Sequence, residues 1–110
     1  MIYLASPYAH PDPQVRDERV RQVCAHGARL VREGRLVYSP IAHSHLLAEQ
    51  GLPSDWPFWA EHSRWMLSAC RELVVLALPG WEESTGVKAE VAIATELGLP
   101  VRFVAPEEAA

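Results

Sequence analysis

Leu73 to Gly98, LVVLALPGWEESTGVKAEVAIATELG, is the stretch whose reading decides the fold. Leu73 to Leu78 is a continuous apolar run of strand length, rich in valine, as expected of a parallel strand covered on both faces. Pro79 and Gly80 end it. Ser84 then caps a helix that has no Gly or Pro after Gly86 until Gly98, which closes it in a left-handed conformation, with Pro100 just beyond. At roughly 100° per residue, Val87, Val91, Ala94 and Leu97 fall on one stripe, and Lys88, Thr95 and Glu96 fall outside it. Glu90 falls inside. A carboxylate on the core-facing stripe needs a reason, because burying an unpaired charge costs several kcal/mol or forces protonation. On an arbitrary helix the ordinary explanation is an edge residue, solvated or paired with an arginine. Two features point elsewhere here. Glu90 lies in the second turn, near the positive helix end, and that end faces the cleft at the carboxyl edge of a parallel sheet, where α/β proteins bind ligands. Glu90 is therefore a candidate nucleophile or general base.

Working outward, Ile2 to Ala5 is a short apolar run expected to form a central strand, broken by Ser6, Pro7 and Tyr8. Asp12 followed by Pro13 starts a helix whose stripe is Val20, Val23, Cys24, Gly27, Leu30 and Val31, ending at Gly34. Leu36 to Tyr38 is a second strand, ended by Ser39-Pro40. SPYAH and SPIAH thus recur 33 residues apart, about one βα unit, with no third copy to make a repeat array. A short helix is expected over Ile41 to Gly51 and another over Phe58 to Cys70, with Trp59, Trp65, Met66 and Ala69 near one another. Val101 to Val104 is a fourth strand, and the tail PEEAA, residues 106–110, is expected to fray. This alternation specifies one α/β domain over residues 1–105, and right-handed crossovers give a parallel sheet of about four strands in the order 2-1-3-4. The switch point lies between the first and third strands. Ser6, Pro7 and Tyr8, the Pro79 to Gly86 loop and Glu90 line the cleft there.

The 110 residues allow one domain, and 49% hydrophobic content is enough for a core. No apolar run approaches the ~18 residues of a membrane span, and MIYLAS lacks a basic leader, so a soluble, cytoplasmic protein is expected, with no membrane partner. Cys24 and Cys70 sit beside apolar neighbours in helical patterns without metal spacing, as small buried, reduced thiols. A net charge of −4 argues against a nucleic-acid polymer as partner. The six arginines from Arg16 to Arg35 alternate with Asp17, Glu18 and Glu33 and read as a solvated helix face.

IYLASPY and Ser84-Thr85-Gly86-Val87-Lys88-Ala89-Glu90 resemble the nucleoside 2-deoxyribosyltransferase superfamily, which includes the base-swapping transferases and the 2′-deoxynucleoside 5′-phosphate N-hydrolases. SPIAHSH and LPGWEES resemble a small branch of that group of unknown function. The resemblance implies a flavodoxin-like, Rossmann-like three-layer sandwich. It also implies an N-glycosidase or deoxyribosyltransferase-like enzyme that needs no cofactor and acts on a nucleoside 5′-monophosphate or nucleoside. In that group the glutamate matching Glu90 attacks the anomeric carbon, and the tyrosine matching Tyr3 contacts it. Cleavage of an N-glycosidic bond through an oxocarbenium-like transition state suits an ionised carboxylate beside the sugar.

The departure from the group is at the acid that protonates the leaving base. Ser63 and Arg64 stand where the helix before the third strand carries an aspartate, and Glu72 stands where an aspartate often begins that strand. His43 and His45 are the candidate substitutes. His-x-His without a third ligand does not make a metal site, and no metal is expected. Ser6, Pro7, Tyr8, Trp81, Ser84 and Gly86 are the candidate substrate-binding residues. Serine at position 84, at a helix N-terminus beside the Gly86 N–H, suits a phosphate. Uncovered apolar surface and the family's habit imply a homodimer or higher homo-oligomer. The alternative is a nucleotide-binding or sensor module that kept the pocket and lost catalysis, and a third reading is a signalling-nucleotide or NAD glycohydrolase on a related fold.

Overall fold

The computed structural model describes residues 1–106, so the expectation for the tail beyond Pro106 lies outside the described residues. Four parallel strands, β1 (Ile2–Ala5), β2 (Val37–Tyr38), β3 (Glu72–Leu76) and β4 (Val101–Val104), form one sheet in the order β2-β1-β3-β4. The helices are α1 (Pro13–Arg32), α2 (Pro40–Ala48), α3 (Trp56–Ser68) and α4 (Thr85–Glu96), with a 3-10 turn over Trp81–Glu83 before α4. This is the expected flavodoxin-like α/β architecture. In register, Tyr3 of the central strand stands beside Tyr38 on one side and Leu73 on the other.

Alternation along the strands sorts side chains into two layers. Ile2, Leu4, Val74 and Leu76 pack with Val23 and Leu30 of α1, while Tyr3, Ala5, Leu73 and Val75 pack with Leu67 of α3 and Val87, Ile93 and Ala94 of α4. Caps fix where the helices begin. Asp12 accepts from the Gln14 N–H at 2.9 Å, Ser39 from Ala42 at 3.1 Å and Ser84 from Val87 at 3.2 Å, each satisfying an otherwise unpaired donor. Gly98, at φ 74°, closes α4 as expected.

Several expectations are corrected. β3 begins at Glu72 and ends at Leu76, because the chain turns early and the Leu78 N–H bonds to the Leu76 carbonyl. Leu97 and Val31 are exposed rather than on the buried stripes; α4 buries Val87, Glu90, Ile93 and Ala94, and α1 buries His26 alongside Val23 and Leu30. Cys24 is exposed, one position off that face, whereas Cys70 is buried; both are free thiols. In α3 the buried face is Ser63 and Leu67, which leaves Trp65 72% exposed.

The arginines of α1 do form ion pairs, Arg21 with Glu18 and Arg29 with Glu33. Arg19 differs. Its guanidinium donates to the carbonyls of Ala9 and Pro79, both at 2.9 Å, and so joins the loops that follow β1 and β3.

Candidate functional site

Because all four strands are parallel, their carboxyl ends meet at one edge, and α2, α3 and α4 rise around it. A cavity of about 460 Å³ opens there, a size that suits a nucleoside-scale molecule. Ser6 and Tyr8 reach it from the loop after β1, Tyr38 from the end of β2, His45 from α2, and Trp56, Trp59, His62 and Ser63 from α3. Glu83, Ser84, Thr85, Gly86 and Glu90 line it from the start of α4.

Glu90 is only 5% exposed, and its Oε2 accepts a hydrogen bond of 2.5 Å from the Tyr3 hydroxyl. The central strand thus carries the donor and α4 the carboxylate. Burial pushes the Glu90 carboxyl up to about 7, while the bond from Tyr3 pulls it back down. The group therefore exchanges a proton near neutrality. Burial, and then the nearby Glu90 charge, hold the Tyr3 hydroxyl far above the ordinary tyrosine range, so Tyr3 acts as a donor; hydrogen bonding to Ser63 works weakly the other way. The same two causes push Tyr38 up to about 12.

Two buried hydroxyls on the cavity wall, Ser6 Oγ and Tyr38 OH, have no hydrogen-bond partner among the described residues. Buried polar groups are ordinarily satisfied, so such a pair is open to water or to a polar ligand. Ser6 is 4% exposed and already sits in the loop expected to bind substrate. Tyr38 was not singled out from the sequence. Its signal was its place directly before Ser39-Pro40, at the carboxyl end of a strand neighbouring β1.

Of the expected site residues, Glu90, Ser6, Tyr8, Ser84, Gly86 and His45 line the cavity, and Tyr3 reaches it through Glu90. Three do not line it. Pro7 is fully buried, and Trp81 instead packs its ring 5.1 Å from Phe103 of β4, because the 3-10 turn directs it away from the cleft. His43 is exposed and stacks on His62 at 5.2 Å, so the histidine of α3 that lines the cavity is His62. Trp56 and Trp59 are further lining residues, although large aromatics default to the core; Trp59 also donates from Nε1 to the Pro53 carbonyl at 2.8 Å. Ser63 is buried against Tyr3, and Arg64 points outward to Glu96 at 3.1 Å. Among the described residues, no cluster of three or more His, Cys, Asp or Glu is placed to hold a metal, and no helix is long and apolar enough to cross a membrane.

A parallel α/β sheet with a carboxylate-floored cavity at its switch point defines the class of this protein. The chain belongs to the family described as a domain of unknown function (DUF1937), whose model matches residues 1–105 and so takes in every strand and helix named above. No curated protein matches it in sequence.

Proposed function

We propose that the protein is an N-glycosidase or deoxyribosyltransferase-like enzyme of the nucleoside 2-deoxyribosyltransferase superfamily, acting on a nucleoside 5′-monophosphate or nucleoside. The observation that carries this reading is the buried Glu90, held by the Tyr3 hydroxyl at the floor of a cavity sized for such a molecule. In its ionised form Glu90 attacks the anomeric carbon as the bond to the base breaks and the bonding electrons leave with the base. Water, or an acceptor base, then attacks the glycosyl ester and frees the carboxylate. The unsatisfied Ser6 and Tyr38 hydroxyls supply hydrogen bonds to sugar or base.

At the N-terminus of α4, the Ser84 oxygen already accepts from Val87, which leaves its proton free to donate to a 5′-phosphate beside the Gly86 N–H. Glu83 lines the same end and opposes a dianion, so nucleosides and monophosphates belong in one assay panel. Free base released by the wild type, and lost by roughly a thousandfold or more in Glu90→Ala, is the expected outcome by chromatography. Near-native turnover in that variant removes the mechanism.

A second reading, a binding module without turnover, is favoured by Ser63, a residue with no useful acidity, at the buried position of α3 beside Tyr3. Tight monophosphate binding by calorimetry with no base release would select it. Phe58 and Trp65, seven positions apart on α3, leave an apolar stripe on the outside of the molecule that we assign to a second copy of the chain. Light scattering should then report a dimer or larger assembly that Trp65→Ser dissociates; an unchanged mass in that variant would exclude this face.

A further inference from the structure

We propose that Tyr8, His45 and Glu49 form a proton relay that delivers a proton to the leaving group in the cavity. The proposal rests on the glycosidase reading and adds to it the acid that reaction requires. The Tyr8 hydroxyl lies 2.9 Å from His45 Nδ1, and His45 Nε2 lies 3.3 Å from Glu49 Oε1. The Tyr8 and His45 rings meet edge to face at 5.7 Å. His45 and Glu49 are four positions apart, and α2 is itself fixed at its start by the Ser39 cap and Pro40, so the helix holds the pair in place.

Position makes this more than a surface ion pair. Tyr8 and His45 line the main cavity and also a second, shallower cavity of about 360 Å³, whereas Glu49 lines only the second. The three side chains therefore cross the wall between the two, from solvent to the substrate side. The second cavity also holds His10 and Arg16, and the charges of Arg16, Asp17 and Glu49 act on Tyr8. Burial raises the Tyr8 hydroxyl above its ordinary range and keeps it protonated, the state a donor needs.

The step balances within these groups. With His45 protonated, its Nε2–H donates a hydrogen bond to Glu49 and stays on the ring, while its Nδ1–H donates to the Tyr8 oxygen, which leaves the Tyr8 proton free for the cavity. As the glycosidic bond breaks, its electron pair stays on the leaving nitrogen, which takes the Tyr8 proton. The Nδ1 proton moves onto the Tyr8 oxygen, and the neutral His45 regains a proton from solvent through the second cavity, balanced by the proton released when water or an acceptor base attacks the glycosyl ester. Glu49 is a positioning residue throughout.

A purine 2′-deoxynucleoside 5′-monophosphate needs a proton on its leaving base, whereas its N7-methylated guanine counterpart, already cationic, leaves as a neutral base without one. Both are assayed, each also as the free nucleoside, with wild type, Tyr8→Phe, Glu49→Gln and Glu90→Ala. Tyr8→Phe should slow release of the unmethylated base about a hundredfold and Glu49→Gln about tenfold, each relative to its effect on release of the methylated base. Glu90→Ala should slow both. Equal losses on the two bases in Tyr8→Phe and Glu49→Gln, or no loss on either, overturn the relay and leave the Glu90 mechanism standing. Release of neither base by the wild type, or undiminished release by Glu90→Ala, overturns the glycosidase reading and the relay with it.

Discussion

The two layers that cover the sheet are built from alternate residues of the same strands and are put to opposite uses. Against α1, β1 and β3 present Ile2, Leu4, Val74 and Leu76, an apolar strand surface that α1 meets with Val23, Leu30 and one buried polar side chain, His26. Against α3 and α4, the same strands present Tyr3, Ala5, Leu73 and Val75, and here the buried Glu90 of α4 and Ser63 of α3 are admitted as well. Holding Glu90 at about 7 instead of the ordinary 4.5 corresponds to about 3 kcal/mol withheld from the ionised fold. A fully buried leucine such as Leu4 contributes about 1.5–3 kcal/mol. One or two such residues in the α1 layer offset the whole cost of the carboxylate in the other.

The largest expected effects lie in that contrast. Leu4→Ala should lower unfolding free energy by about 2–5 kcal/mol at every pH. Glu90→Gln should do the reverse and only when the wild-type carboxyl is charged. The folded protein holds the Glu90 proton more tightly than the unfolded chain, so this group's contribution is fully present below about 4.5 and is lost as pH rises through about 7. Denaturant titrations should therefore find Glu90→Gln more stable than wild type by about 3 kcal/mol at pH 9, with no difference near pH 4. A gap that does not change with pH would show that Glu90 is not titrating in the fold. The same ionisation supplies the attacking form, so kcat/KM should climb as pH rises through about 7.

A smaller effect sharpens the comparison inside the polar layer. Tyr3→Phe keeps the ring and removes the bond to Glu90, and kcat should fall about tenfold to a hundredfold while KM moves little. Steady-state kinetics decide it: a raised KM with unchanged kcat would make Tyr3 a substrate contact rather than a partner of the carboxylate.

Elements with strong punctuation were legible in the sequence. Asp12-Pro13, Ser39-Pro40, Ser84 and Gly98 mark helix ends through local backbone chemistry, and the valine-rich run at β3 gives a parallel sheet and hence its order. Glu90 was legible because helical period alone placed it inward, and Tyr3 by its resemblance. Side-chain direction in loops and aromatic-rich helices was not. Trp81 turns toward Phe103 through a 3-10 turn that no periodicity announces, and Trp56 and Trp59 line the cavity although apolar pattern assigns such residues to the core. Tyr8 and His45 were each legible as candidate site residues, and both line the cavity. Their junction with Glu49 was not, because it joins a loop to a helix across 37 positions of chain.

The guanidinium of Arg19 ties the loop after β1 to the loop after β3 from a helix that belongs to the apolar layer. Gly80 makes room for it: at φ 91° a side chain is already disfavoured, and a Cβ there would stand 2.7 Å from Arg19 Nη2. The two loops are the rims of the cleft on either side of its switch point, and a crossbar between them limits how far thermal motion spreads the mouth. The conformational entropy of both rims is therefore surrendered when the chain folds, not when a ligand arrives, and a bound molecule is spared that cost.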